Sequence, residues 1–556
     1  MLFLASVLGF ASSALAQITF TDVSATAGVG DLELASSTGH SLGVNWIDID
    51  QDGWPDLFVV AGGPNRPPHL FRNRGDGSFD NVSHLLPELP TSEMSGSRFA
   101  DYDRDGDVDL FIYTDNPNFR VLRNDNPRDG PYNLVLKNLW VEKGRQIPDS
   151  GPMFDEVAMS VGLSDQAVPA FGAMPAYRSK TASWLDFDRD GCIDLFVGHL
   201  VINAVDDPAN ADSLYRNRCD GTFEDVTAAS GLVSANEPVG LRGALASGAF
   251  QLDNDLWPDL YVVNVSSIEA SPYGDDVLFK NSGSNAKGVD RFTNTTALSP
   301  GLGDDAMAGM GVAVGDINRD GHWDLYITDL LDTHLDQPPR GNVLYLGQGD
   351  GRFSDNLAPV AGVVGNDSWG ANFFDADSDG WEDLFVSTIT TSPDEFLYKN
   401  NGLGSNGQVS FTNIATAAGI VTGNARGSAI ADYDRDGDLD LAIVNQLGPL
   451  QLYRNDTPQT HHWLMLELVA TSSNLDAIGS VIEVSTAEVN QKRQVTGGSS
   501  AHSQDGVAVH FGMGASVRTD LIVVRWPSGA VSRLSGVSTD QYLTVSESLI
   551  FSSGLE

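Results

Sequence analysis

The chain has 556 residues, 58 of them glycine and 19% of them charged, a composition that suits a turn-rich all-β protein with one large domain and a smaller one. Acids outnumber bases 75 to 32, for a net charge of -43; this excludes a nucleic-acid or anionic-membrane surface, because phosphate binding needs cations that displace counterions. Two cysteines, Cys192 and Cys219, allow one disulfide and exclude a scaffold held by a network of them.

The first residues, "MLFLASVLGFASSALAQ", combine an apolar run with small residues ending Ala14-Leu15-Ala16. This is the pattern of a secretory signal over residues 1–16, so the mature protein is expected to start near Gln17 and to be secreted, periplasmic or extracellular. No later stretch is long and apolar enough to span a bilayer, so no transmembrane segment is expected.

From there one pattern recurs seven times at a period of about 64 residues. The copies are "DIDQDGWPDLFVV" from Asp48, "DYDRDGDVDLFIY" from Asp101, "DFDRDGCIDLFVG" from Asp186, "QLDNDLWPDLYVV" from Gln251, "DINRDGHWDLYIT" from Asp316, "DADSDGWEDLFVS" from Asp375 and "DYDRDGDLDLAIV" from Asp432. A run of small residues precedes each copy. A phrase such as "LYRN" follows, at Leu70, Val121, Leu214, Leu278, Leu344, Leu397 and Leu452, then a Gly/Asp turn. Phe-led strands begin at Phe20, Phe79, Phe154, Phe223, Phe292, Phe353 and Phe411. Each unit therefore reads as four short antiparallel strands, a propeller blade. The first Phe-led strand precedes the first loop and none follows the last unit. The N-terminal strand is thus expected to complete the last blade and close a seven-bladed β-propeller over residues 17–457, leaving a small β-domain at 458–556. The 85 residues from Asp101 to Asp186 imply an insertion after Asn124. It is read as an extra hairpin carrying Lys137, Trp140, Lys143 and Arg145, a basic-aromatic contact surface with Trp140 as a candidate ligand-binding residue.

The pattern D-x-D-x-D-G-x-x-D puts carboxylates at loop positions 1, 3, 5 and 9, with glycine at position 6 for a sharp turn. Hard cations such as Ca2+ take six to eight oxygens, mostly carboxylate and carbonyl. The candidate metal ligands are Asp48, Asp50, Asp52 and Asp56; Asp101, Asp103, Asp105 and Asp109; Asp186, Asp188, Asp190 and Asp194; Asp375, Asp377, Asp379 and Asp383; and Asp432, Asp434, Asp436 and Asp440. The fifth copy offers Asp316, Asn318, Asp320 and Asp324, with a neutral oxygen at position 3. The fourth keeps only Asp253, Asp255 and Asp259, because Gln251 and Leu256 replace the first Asp and the glycine. An EF-hand needs Glu at position 12 and a following helix, and neither is present. Up to seven structural Ca2+ are expected, the fourth weakest. Cys192 at position 7 of the third loop and Cys219 in the same unit's last turn fall at one end of the blade, so a disulfide between them is expected.

Repeated loops are scaffold, so function is sought where the copies differ. Six residues before each loop stand Leu42, Ser95, Lys180, Leu245, Met310, Trp369 and Arg426, and Lys180, Trp369 and Arg426 are candidate ligand-binding residues. Trp54, Trp257 and Trp381 share loop position 7, to pack over the loop or to stack on sugars. No HExxH, GxSxG or P-loop pattern occurs, so catalytic residues are unknown. An enzyme at the propeller mouth would draw on His40, Arg98, Arg242 or His322.

The Asp loops and their "DLFVV" strands resemble FG-GAP/VCBS repeats, the units of integrin-alpha-like propellers. The resemblance implies structural calcium in the loops. Beyond residue 457, Ala477-Ile478-Gly479, Gly497-Gly498-Ser499-Ser500, His510-Phe511-Gly512-Met513-Gly514 and Trp526-Pro527-Ser528-Gly529 resemble the ASPIC/UnbV domain. That domain order is similar to the family of cartilage acidic protein 1 and its bacterial relatives, which implies a secreted, acidic, calcium-binding protein. The function expected is a monomeric binding or adhesion module for extracellular glycan or protein, the alternative being a calcium-dependent polysaccharide lyase.

Overall fold

Short β-branched and aromatic runs between Gly, Asp and Pro turns are too brief for helices, and they pair as strands in a computed structural model of the chain. It describes residues 17–548 except 31, 33–41, 61–65, 90–92, 116–132, 149–150, 165–178, 201–211, 233–242, 254, 266–275, 284–290, 300, 303–308, 331–340, 366, 390–395, 447 and 488–489. The expected signal segment lies outside these residues. Among them, helices are limited to single turns, and no helix is long and apolar enough to cross a membrane.

Each Asp loop joins the first two strands of one sheet. In the first sheet Gly43–Ile47, Asp56–Val60, His69–Asn73 and Phe79–Asn81 pair antiparallel in that order. The second, third, fourth and sixth sheets, beginning at Glu93, Ser179, Ala244 and Ser368, repeat it. The fifth has three strands, Gly309–Gly315, Asp324–Asp329 and Val343–Tyr345, with Phe353 reduced to an isolated bridge to Gly347. In the seventh, Ala425–Ala431, Asp440–Asn445 and Gln451–Asn455 take Phe20–Asp22 as their outer strand, Phe20 opposite Asn455. The first, innermost strands are rich in Gly, Ala and Ser, which lets them approach closely. Each packs against the next in chain order, and that of the seventh sheet packs against that of the first.

The second sheet corrects the expected hairpin. Its third strand is Leu134–Asn138, paired with Asp109–Asp115 and Phe154–Glu156. A tight turn over Trp140 to Arg145 follows. The segment is thus the sheet's own third strand, with its aromatic replaced in "LVLKN", and the insertion precedes it. "VLRN" at Val121 lies outside the described residues.

The asparagine ending the third strand joins neighbouring sheets. Asn217 Nδ2 donates to Ile193 O in its own loop and to Tyr102 O in the preceding one, at 3.0 and 2.7 Å. The acceptor is always the carbonyl at loop position 2 of the preceding copy: Asn138 to Ile49, Asn281 to Phe187, Asn400 to Ile317 and Asn455 to Ala376. Asn73 of the first sheet reaches Tyr433 of the seventh at 2.8 Å. The fifth sheet has Gly347 at this place, where a Cβ would lie 2.1 Å from Trp323 O.

Residues 462–546 form two further sheets. One orders Val509–Gly514, His462–Val469 and Gln541–Ser546; the other orders Asn490–Gln494, Val481–Ser485, Leu521–Arg525 and Val531–Leu534. Their apolar core, including Leu464, Ile482, Phe511 and Trp526, is continuous with Tyr102, Phe111 and Trp184 of the second and third sheets. From this domain the segment Gly497–Gly506 runs among the inner strands of all seven sheets. Trp184 N donates to Gly497 O, Ser500 N to Val312 O, Trp46 N to Gln504 O and Gly506 N to Ile430 O, at 3.0 to 3.2 Å. Phe99 N and Ala371 N donate to the side chains of Gln504 and Ser500. Ala501 packs on Leu245.

Asn217→Ala is expected to lower unfolding stability by about 1–3 kcal/mol, because two buried carbonyls lose their donor; exposed Asn401→Ala is the near-neutral control in the same urea titration. Gln504→Ala orphans both Phe99 N–H and C=O. It should lower Tm and speed proteolytic cleavage in the 456–461 connection between the two regions.

Candidate metal centres

Two left-handed residues wind six of the loops, at position 4 (Arg435, φ 56°) and position 6 (Gly437, φ 100°); position 4 of the fourth lies outside the described residues. Only glycine takes the second without a steric cost. This turn aims the backbone inward. In the first, third, sixth and seventh loops the position-1 carboxylate accepts the amides of positions 5 and 6, as Asp432 does from Asp436 and Gly437 at 3.0 and 2.8 Å; Asp101 and Asp316 accept only the position-6 amide. The position-9 carboxylate accepts the position-2 amide and the amide of the third-strand asparagine, as Asp56 does from Ile49 and Asn73 at 2.9 and 2.7 Å.

These contacts bring the predicted acids together. In the first three copies, oxygens of positions 1, 3 and 9 (Asp48, Asp50, Asp56; Asp101, Asp103, Asp109; Asp186, Asp188, Asp194) lie within 4.8 Å of one another. Burial first, and then neighbouring carboxylates, push the position-1 groups up: Asp48 to about 6, Asp101 to about 8 and Asp186 to about 7. The basic residue of the "LYRN" phrase offsets part of this charge. Arg72 binds Asp50 and Asp52; Lys137 binds Asp103 and Asp105; Arg216 binds Asp188 and Asp190; Lys280 binds Asp253; Lys399 binds Asp377 and Asp379. In Asp50, Asp188 and Asp377 the cation takes Oδ2, while Oδ1 is buried without a hydrogen-bond partner. Asp434 Oδ1, Asp101 Oδ1 and Asp316 Oδ1 are orphaned in the same way. Buried carboxylate oxygens with no donor, gathered within one Asp-rich turn, fit a hard divalent cation. The fifth copy has lost both the position-3 charge (Asn318) and the third-strand cation (Leu346 stands in its place), so its balance is kept.

The fourth loop is different. Gln251 Nε2 donates to Gly479 O at 2.9 Å, and its backbone N–H to Gln494 Oε1 at 3.1 Å. Leu256 holds a left-handed φ of 69°, and it borders Ile478 and Pro527. The first ligand and the glycine are lost where the C-terminal domain docks. Other loops also meet that domain: Asp476 accepts Asp101 N, Tyr542 OH donates to Asp432 Oδ2 at 2.7 Å, and Arg493 pairs with Glu382 at 3.2 Å. A cavity of about 140 Å³ lies at this junction, lined in part by Asp375, Glu382, Arg493, Asp505 and His510.

Trp54, Trp257 and Trp381 are half-buried over their loops. One flank meets turn glycines Gly75, Gly283 and Gly402. The other is met by an arginine of the preceding sheet, with Cζ of Arg435, Arg189 and Arg319 at 6.0, 4.8 and 3.6 Å from the ring. The position-4 side chains also hold the next loop: Gln51, Arg104, Arg319 and Arg435 donate to the position-6 carbonyls of Gly106, Gly191, Gly380 and Gly53. Trp140, proposed for ligand contact, packs against the apolar cluster of the first two sheets. Cys192 and Cys219 are disulfide-bonded, with Cα atoms 5.6 Å apart.

Lys180, Trp369 and Arg426 are 4, 6 and 3% exposed, and they surround the tip of Gly497–Gly506. Sequence reasoning missed this tip, above all His502, which meets Tyr113 and Trp369. The available signal was a run of small and polar residues, Gly497 to Gly506, inside a domain of alternating apolar strands. His40 and Arg242 lie outside the described residues. His322 belongs to the fifth Asp loop, against Gly349, and does not join Arg98.

Residues 470–549 match the family described as ASPIC and UnbV, and residues 48–112 match the FG-GAP-like repeat. Cartilage acidic protein 1 of Mus musculus is 23% identical over 529 residues, covering 91% of this chain and 73% of the relative. That of Homo sapiens is 23% identical over 518 residues, covering 89% and 70%. Among solved structures the Dos1 propeller is similar at 10% identity and a TM-score of 0.39, over 75% of this chain and 93% of that one. The chain is therefore an all-β protein with an FG-GAP-like repeat region and a C-terminal ASPIC and UnbV domain, similar over most of its length to cartilage acidic protein 1.

Proposed function

We propose that the protein is a secreted, calcium-stabilised, seven-bladed propeller, closed by its N-terminal strand, that acts as a binding or adhesion module for an extracellular glycan or protein. The observation that carries this reading is the occupied centre. Propeller chemistry usually sits at the mouth of the central channel, and here Ser500, Ala501, Ser503 and Gln504 of the same chain are fully buried among the inner strands. A polymer threaded to Arg98 or His502 would have to displace them. Contact with large ligands is then left to the loops and the outer faces. The Asp loops serve as scaffold. Their aspartates would hold the ions, and the ions would supply the positive charge that the third-strand bases only partly provide.

One observation favours a second reading, a polysaccharide lyase: His502, Tyr113 and Arg98 come together at the centre. Glycan-array binding and an assay for unsaturated sugar release separate the two. Binding without release is the expected outcome, and release of unsaturated products would overturn the binding-module reading.

Excess chelator should lower Tm by several degrees and added Ca2+ should restore it saturably, since an ion that binds only the folded state stabilises it; an unchanged melting curve would refute the metal assignment. Asp436→Ala should reduce the Ca2+-dependent part of Tm more than Asp255→Ala, because the seventh loop has its full ligand set and the fourth does not.

A further inference from the structure

The tip of the central segment is surrounded by buried polar groups that have no hydrogen-bond partner among the described residues. His502 is 3% exposed, and its Nδ1 has no hydrogen-bond partner. Its ring lies 6.1 Å from that of Tyr113 and 6.4 Å from that of Trp369. Arg426, 3% exposed, stacks on Trp369 with Cζ 4.0 Å from the ring centre. Its Nη2 donates to Gln446, while Nε and Nη1 are buried and unpartnered. Arg98 is fully buried; Nε donates to Ala182 O and Nη1 to Ser97 O, and Nη2 has no acceptor. The Tyr113 hydroxyl and the Trp369 indole N–H also lack partners.

Charge sharpens the case. Asp505 is the carboxylate that acts on Arg98, and it already accepts from Asn372, Ile430 and Ser499. Arg426 has no such partner among the described residues: burial pushes it down to about 10. Lys180 adds a further cation within electrostatic reach of His502. A buried guanidinium with no counter-charge is strongly unfavourable. Guanidinium N–H groups match the oxygens of an oxyanion in pairs, and imidazole and indole N–H groups complete such a cradle.

We propose that Arg98, Arg426 and His502, with Tyr113 and Trp369, form a buried site for one small free oxyanion of the sulfate, phosphate or carboxylate class. The site lies between the inner strands and the C-terminal segment, so the ion would lock the two regions together. Its depth excludes an anionic group carried on a polymer. The inference does not depend on what the protein binds outside.

The test uses the full chain. Protein exposed to sulfate, inorganic phosphate and acetate and then desalted into chloride is denatured, and released ions are measured by ion chromatography. About one oxyanion per chain is expected from a slowly exchanging buried site. In parallel, Tm is followed while each anion is titrated from micromolar to low millimolar, below the range of general salting effects. A saturable rise is expected, with half-saturation weakened about tenfold or more in Arg426→Gln and in His502→Gln. The relative response to the three anions identifies which one the site prefers. Chloride as the sole released ion, no saturable rise in the unaltered protein, or an equal rise in both variants would overturn the proposal. If one variant does not fold, the other and the ion release from the unaltered chain still decide it.

Discussion

Burying a carboxylate is costly unless its lone pairs meet donors, and every repeat of this chain buries one at loop position 9. Asp56, Asp194, Asp259, Asp324, Asp383 and Asp440 have no exposure, and Asp109 has 1%. Each accepts an amide from its own loop and another from the residue ending the third strand. One carboxylate thus fixes the path from the first strand to the second and the height of the third. The asparagine whose amide it accepts sends its side chain to the neighbouring sheet. Register within a sheet and attachment between sheets therefore follow from one buried charge. The fifth sheet shows the dependence: glycine replaces the asparagine, Asp324 still accepts Gly347 N at 2.9 Å, and the sheet-to-sheet bond is missing.

Charge then propagates outward. Positions 1, 3 and 5 crowd further carboxylates beside the first, and the third-strand Arg or Lys answers from one side only. What remains in most loops is a buried carboxylate oxygen without a donor. The fourth loop meets the problem differently, by replacing its first carboxylate with an amide that serves the C-terminal domain.

Much of this was legible in the sequence because repetition amplifies weak signals. Seven spellings of one loop located the strands, the outer-strand pairing of Phe20–Asp22 and the Cys192–Cys219 proximity, each through spacing. The third strand of the second sheet was misread because "LVLKN" lacks the aromatic that marks its relatives. Its Lys137 and Asn138 carry the interactions that matter, and the aromatic does not. The central segment was invisible for another reason. Seven inner strands need small groups between them, and small groups leave no periodicity. Lys180, Trp369 and Arg426 were singled out as the chemically varied positions of a constant ring. What they surround belongs to another part of the chain, which spacing within the repeats does not reveal.

The order of synthesis has a consequence for assembly. The partner strand of Phe20–Asp22, Gln451–Asn455, emerges more than four hundred residues after it, so the seventh sheet stays incomplete until the strands between them exist. Gly497–Gly506 emerges later still and occupies the middle. Sheets that dock as they leave the ribosome would have to part again to admit it. Final packing is therefore a late, whole-chain event of high contact order, the slow kind. A chain truncated before residue 497 would possess every repeat and still lack its centre.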